Sequence, residues 1–257
     1  MKFSTDFFIF LIYPLVAVAF SFLFSVSAFG SVILFFGIPA LYLSLRGRKY
    51  IKSALVFSGI ISPPAIIIVD YTAHLNGQWL IPYSILPFRL FEFVTVEVIA
   101  WAFLHLYFTA IFYEYFFDKT PNKKLWTRRV KILLAASTGV FLFFLALLAA
   151  KPDTFIIPYF YLLYGTFGIL IPVIGYALFR PALVGKIVKV GVYFFYLTLV
   201  YELTALTLGW WSFPSSQFIG WVEIAGLRFP FEEFFFWLVL FSAWIVSAYE
   251  FSIDDGK

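Results

Sequence analysis

At 257 residues, 63% hydrophobic and only 12% charged, the chain is excluded from the water-soluble domains, in which charged side chains make up about a quarter of the total. Its net charge of +4 therefore reads as a record of membrane topology rather than of a nucleic-acid partner, since Lys and Arg collect in cytoplasmic loops. With no cysteine, disulfides, thiolate metal sites and a cysteine nucleophile are also excluded.

An apolar helix needs about 20 residues to cross the hydrocarbon of a bilayer. Runs of that order fall at 7–26, 29–45, 52–70, 88–117, 130–150, 156–179, 187–207 and 229–251, so the expected fold is an all-α, polytopic transmembrane bundle of about eight spans. The first run lacks a small-residue cleavage site and reads as a span, not as a removed signal peptide. Only Ser25-Val-Ser-Ala-Phe-Gly30 separates it from the second. Eight spans collect 15 of the 18 basic residues on one side: Lys2; Arg46, Arg48, Lys49 and Lys52; Lys119, Lys123, Lys124, Arg128, Arg129 and Lys131; Arg180, Lys186 and Lys189; and Lys257. Arg89, Lys151 and Arg228 remain opposite. The expectation is a multi-pass protein of the cell membrane with both termini cytoplasmic.

A basic linker, 119–131, divides the chain into halves, 1–118 and 132–257, that repeat one another. Ile38-Pro39 followed by Arg46 answers Ile171-Pro172 followed by Arg180. Asp70-x-Thr72-Ala73-x3-Gly77-x-Trp79-x2-Pro82 answers Glu202-x-Thr204-Ala205-x3-Gly209-x-Trp211-x2-Pro214, and Glu97, Trp101, Tyr113, Glu114 and Asp118 answer Glu233, Trp237, Tyr249, Glu250 and Asp254. Four spans per half make the copies parallel, a known membrane plan that sets one copy's carboxylates opposite the other's.

Acids in hydrocarbon are costly and mark function unless an interface explains them. Pro230 suits the first turn of a helix, which puts Glu232 and Glu233 in that turn, where the helix dipole favours them. They are either solvated helix-start acids or chemistry-bearing ones. The run 88–117 puts Glu97 about nine residues into its span, ~13 Å down. A carboxyl at that depth must be paired or uncharged, and an uncharged acid can donate a proton. Asp70 and Glu202 end the third and seventh spans, as partners of those acids or as interfacial anchors. His74 shares a helix face with Asp70 if that helix continues so far. Arg89 and Arg228 either pair with Glu92 or Glu232 or snorkel to headgroups. Glu114 and Glu250 are expected to be solvated at cytoplasmic helix ends.

Aromatic residues reach 24% of the chain, more than interfacial belts need, and a pocket of ring faces could hold a carbocation. There is no Gly-x-Gly-x-x-Gly turn for a dinucleotide. The two histidines, His74 and His105, are too few for a His-rich iron site, and no Asp-rich magnesium motif appears. The expectation is chemistry without metal or cofactor on an apolar substrate.

The Asp-x-Thr-Ala…Gly-x-Trp…Pro loop followed by Pro230-Phe-Glu232-Glu233-Phe-Phe-Phe resembles the lycopene cyclase domain of the heterodimeric and fused, flavin-independent carotenoid cyclases of bacteria, archaea and fungi. The likeness covers 171–251 and, more loosely, 38–118. That family carries a Pro-x-Glu-Glu/Asp motif in each of two multi-span domains. The first copy departs from it, reading Val94-Thr95-Val96-Glu97. The resemblance implies redox-neutral cyclisation of a linear carotene, with Glu233, Glu232 and Glu97 as acid and base. Asp70, Glu202, His74, Arg228 and Arg89 would support them, and Trp79, Trp211, Trp237 and Pro230 would shape the pocket. The expected partners are a lipophilic polyene or isoprenoid, the lipid bilayer and, as an open option, a second copy of the chain. A carotenoid hydratase or double-bond isomerase uses the same chemistry, and a transporter would also suit parallel repeats with buried acids.

Overall fold

The structure, a computed structural model, describes residues 2–119 and 124–253, with side chains from residue 5 onward. Asp254, Lys123, Lys257, the Lys2 side chain and the centre of the basic linker lie outside the described residues. Eight helices are long and apolar enough to cross a membrane: α1 (Thr5–Phe24), α2 (Ala28–Arg46), α3 (Arg48–Leu75), α4 (Val96–Asp118), α5 (Arg128–Ala150), α6 (Phe160–Phe179), α7 (Pro181–Leu208) and α8 (Glu233–Ser252). The chain thus has the build of a multi-pass membrane protein, 76% helical. The short α1–α2 boundary holds for local reasons. Ser25 turns left-handed at φ 46°, and the Ser27 hydroxyl caps α2 by accepting from the Gly30 amide at 3.2 Å.

Helices α4 and α8 lie at the centre and pack on each other, with α3 against α4 and α7 against α8. The outer helices cross over: α1 lies along α7, and α5 lies along α3. Rings fill the seams. Phe10 touches Phe108, Phe112 and Tyr193, and Phe112 stacks on Tyr193 with centroids 4.4 Å apart. Helices α2 and α6 each widen into a π-type turn, Ile33–Gly37 and Gly165–Leu170, just ahead of Pro39 and Pro172. A proline ring clashes with the carbonyl four residues back, and the wider turn relieves that clash.

Two departures from the sequence reading bear on the acids. Helix α4 starts at Val96, not 88, because Leu90 and Val94 bridge around Phe91 and Glu92, both at positive φ, and the Thr95 hydroxyl caps the Val98 amide. Glu97 therefore sits in the first turn of α4 rather than nine residues down it. The fold also departs from an all-α bundle. Strands β1 (Trp221–Ile224) and β2 (Leu227–Pro230) form an antiparallel hairpin, pairing Trp221 with Pro230. Ala225 and Gly226, at φ 55° and 77°, make the two-residue turn that matches strand twist. Pro230 is thus the last strand residue, immediately before the helical turn that carries Glu232 and Glu233.

Candidate functional site

Helices α3 and α7 end alike. Gly77 and Gly209 adopt left-handed φ of 64° and 69°, which only glycine takes without strain, and the following amides reach back to the Ala73 and Ala205 carbonyls at 2.9 Å. These caps aim the two loops at each other. Leu80 and Ser212 exchange backbone hydrogen bonds at 3.0 Å, and Trp79 stacks on Trp211 with centroids 5.2 Å apart. The Trp211 Nε1–H donates to Glu202 Oε1 at 3.1 Å. On the helix beneath each loop sit Asp70 and Glu202, 4% and 3% exposed.

Across from them, the first turns of α4 and α8 present Glu97 and Glu233, both buried. Both Glu97 oxygens accept hydrogen bonds: Oε1 from the Ile85 amide at 2.6 Å and Oε2 from the Ser84 hydroxyl at 2.8 Å. Asp70, Glu97, Glu202 and Glu233 line one cavity, walled by Trp79, Trp101, Trp211 and Trp237 with Tyr161 and Tyr201. Its free volume, about 60 Å³, admits a few water molecules.

The other sequence candidates are placed elsewhere. Glu232 is fully buried beside Glu233 but does not line the cavity; its Oε1 accepts from the Ile219 amide at 2.8 Å, tying the loop to the helix start. His74 does continue the Asp70 face of α3, since that helix runs to Leu75, and its ring stacks on Phe93 at 4.7 Å. Among the described residues Arg89 forms no ion pair; it donates to the Ile81, Pro82 and Phe93 carbonyls and so holds its own loop. Arg228 lies over the Trp221 ring at 4.5 Å on the hairpin. Pro230 terminates that hairpin.

Several further polar residues are buried where the sequence assigned them no role or a solvated one. Gln78, the variable position inside Gly-x-Trp, is fully buried and accepts from the Tyr161 amide at 2.9 Å, fixing the start of α6 at the cavity wall. Asp6 takes both oxygens to Arg46 at 2.9 Å and accepts from Tyr42 and Tyr115. Glu114 and Glu250 are not solvated ends: they are 1% and 6% exposed. Tyr113 donates to Glu250, and Tyr249 donates to Glu114 at 2.6 Å, crossing between α4 and α8. The recurrent Tyr-Glu dipeptide was the signal in sequence for this cross. His105 is buried among Phe36, Trp101, Phe194 and Phe241 with neither ring nitrogen partnered.

Among the described residues no group of three or more His, Cys, Asp or Glu side chains is disposed to hold a metal ion. What the cavity offers chemically is proton transfer beside cation-tolerant ring faces. No family model, no curated protein and no solved structure matches the chain.

Proposed function

We propose that the protein is a membrane-embedded cyclase that closes a ring at the end of a linear, carotene-like polyene. The observation that carries this reading is the convergence of Asp70, Glu97, Glu202 and Glu233 on one ring-walled cavity inside membrane-spanning helices. An acid there protonates the terminal alkene and leaves a tertiary cation. The next alkene of the same chain attacks that cation, forming the ring bond and moving the charge into the ring. A carboxylate then removes a neighbouring C–H proton, so the product is an isomer of the substrate and nothing is oxidised. Glu97, both of whose oxygens already accept hydrogen bonds, is the base. Glu233 is the acid, and Asp70 and Glu202 return the proton from one to the other. The tryptophan faces shield the cation from nucleophiles. The present cavity is smaller than an end group, so entry requires the rings that wall it to move apart.

The same proposal includes two parallel four-span repeats with both termini cytoplasmic. It is supported by the pairing of residues 132 positions apart at Leu80 and Ser212 and at Trp79 and Trp211, and by the crossed Tyr–Glu bonds. A second reading, hydration of the polyene, is favoured by the room for water beside the acids. Mass analysis of the product separates them, because a hydratase adds the mass of water and a cyclase leaves the mass unchanged.

The test is expression of Glu233→Gln and Glu97→Gln in cells that accumulate lycopene. Each variant is expected to lose ring formation by about 100- to 10,000-fold, the span ascribed to a positioned acid or base. Undiminished rings in both would remove these assignments.

A further inference from the structure

Resting on the reading of the acid cavity as the reaction site, we infer that a groove on the lipid side of the bundle seats the hydrocarbon tail of the same substrate, whose head reaches the acids through a narrow neck. The groove lies between α3, α5, α6 and α8 and encloses about 590 Å³. The neck is a separate small void of about 20 Å³. It shares Ile61, Ala65 and Trp244 with the groove and Ile66, Val69 and Trp237 with the acid cavity. Helix α3 is the common rail. From Ile61 to Asp70 it rises about 13 Å at 1.5 Å per residue. Trp237 and Trp244, two turns apart on α8, form the facing wall.

The groove's chemistry selects its occupant. No charged side chain lines it, and two of its few hydroxyls are turned to backbone: Ser137 donates to the Ile60 carbonyl and Ser247 to the Ala243 carbonyl, each at 2.8 Å. A lining that is otherwise hydrocarbon and ring would compensate a charged or strongly polar ligand poorly for lost hydration. A bilayer acyl chain would satisfy the groove but would bring only a terminal methyl to the four acids, where there is nothing to protonate. A linear isoprenoid polyene carries alkenes to its very end. The occupant is therefore a polyene that enters sideways from the bilayer, tail in the groove and end group in the cavity.

The test uses the full chain in phospholipid nanodiscs with all-trans lycopene as the probe, binding being read from the induced circular dichroism of the polyene. Gly175 lines the groove, and a Cβ added there meets nothing within 4 Å, so Gly175→Leu is the substitution chosen to fill it. Ala65→Leu narrows the neck. Both are expected to weaken lycopene binding at least tenfold while Gly175→Leu melts no lower than the parent, and Glu233→Gln is expected to bind normally without forming product. Loss of binding in the two fillers with no ring formed even by the parent protein would retain the groove site and refute the chemistry. Parent-like binding in both fillers, or no lycopene signal from a parent protein that retains phospholipid, would overturn the proposal.

Discussion

Glu232 and Glu233 are neighbours in sequence with opposite surroundings. Successive residues of a helix point about 100° apart, so one faces the cavity and the other the loop that precedes the helix. The Glu232 side chain holds the Ile219 amide, a bond that an amide oxygen can also accept. Glu232→Gln is thus expected to leave ring formation within about twofold of the parent, whereas Glu233→Gln removes it; pigment extraction from the two strains decides. His105 makes a different point. Both of its nitrogens are buried without partners, which costs of order 1–3 kcal/mol relative to an apolar group of the same shape. His105→Phe, set among four rings, should raise the thermal midpoint in detergent, and a lower midpoint would refute that cost.

At the scale of elements, the site depends on how helices start and stop. Gly77 and Gly209 end α3 and α7 at positive φ, and the two loops they release pair through Leu80 and Ser212. A Cβ at Gly209 meets no atom within 4 Å, so Gly209→Ala should cost only the left-handed strain, about 1 kcal/mol, measurable as a lower midpoint in detergent. Because Trp211 and its bond to Glu202 follow two residues later, activity should fall more than stability does. The start of α4 carries the largest correction to the sequence reading. A run of apolar residues from 88 onward looks like helix, but Phe91 and Glu92 take positive φ in a tight turn. Hydropathy counts apolar residues and is blind to that turn, so the predicted depth of Glu97 was too great. The hairpin of β1 and β2 escaped for the same reason, its two four-residue strands lying beside a strongly apolar helix.

For the molecule as a whole, the central pair α4 and α8 joins the two halves at both ends. At one end the four acids and four tryptophans converge. At the other, Tyr113 and Tyr249 donate across to Glu250 and Glu114. Replacing both tyrosines by phenylalanine leaves two buried carboxyl groups each short of a donor, at about 1–3 kcal/mol apiece. The double variant should destabilise by less than the sum of the singles, since the four groups share one network; strict additivity in unfolding would mean two independent bonds.

Hydropathy was enough for eight helices of membrane-crossing length, because the demand for about 20 apolar residues per crossing is local and one-dimensional. The recurring Asp/Glu…Gly-x-Trp pattern drew attention to Asp70 and Glu202, and acids set in apolar runs drew it to Glu97, Glu232 and Glu233, before any helix was placed. Which acids share a cavity, and which merely brace a loop, depends on helix rotation and on contacts between residues more than 100 positions apart. No local pattern encodes those, so packing alone separated Glu233 from Glu232, turned Arg89 onto backbone carbonyls, and drew Glu114 and Glu250 inward.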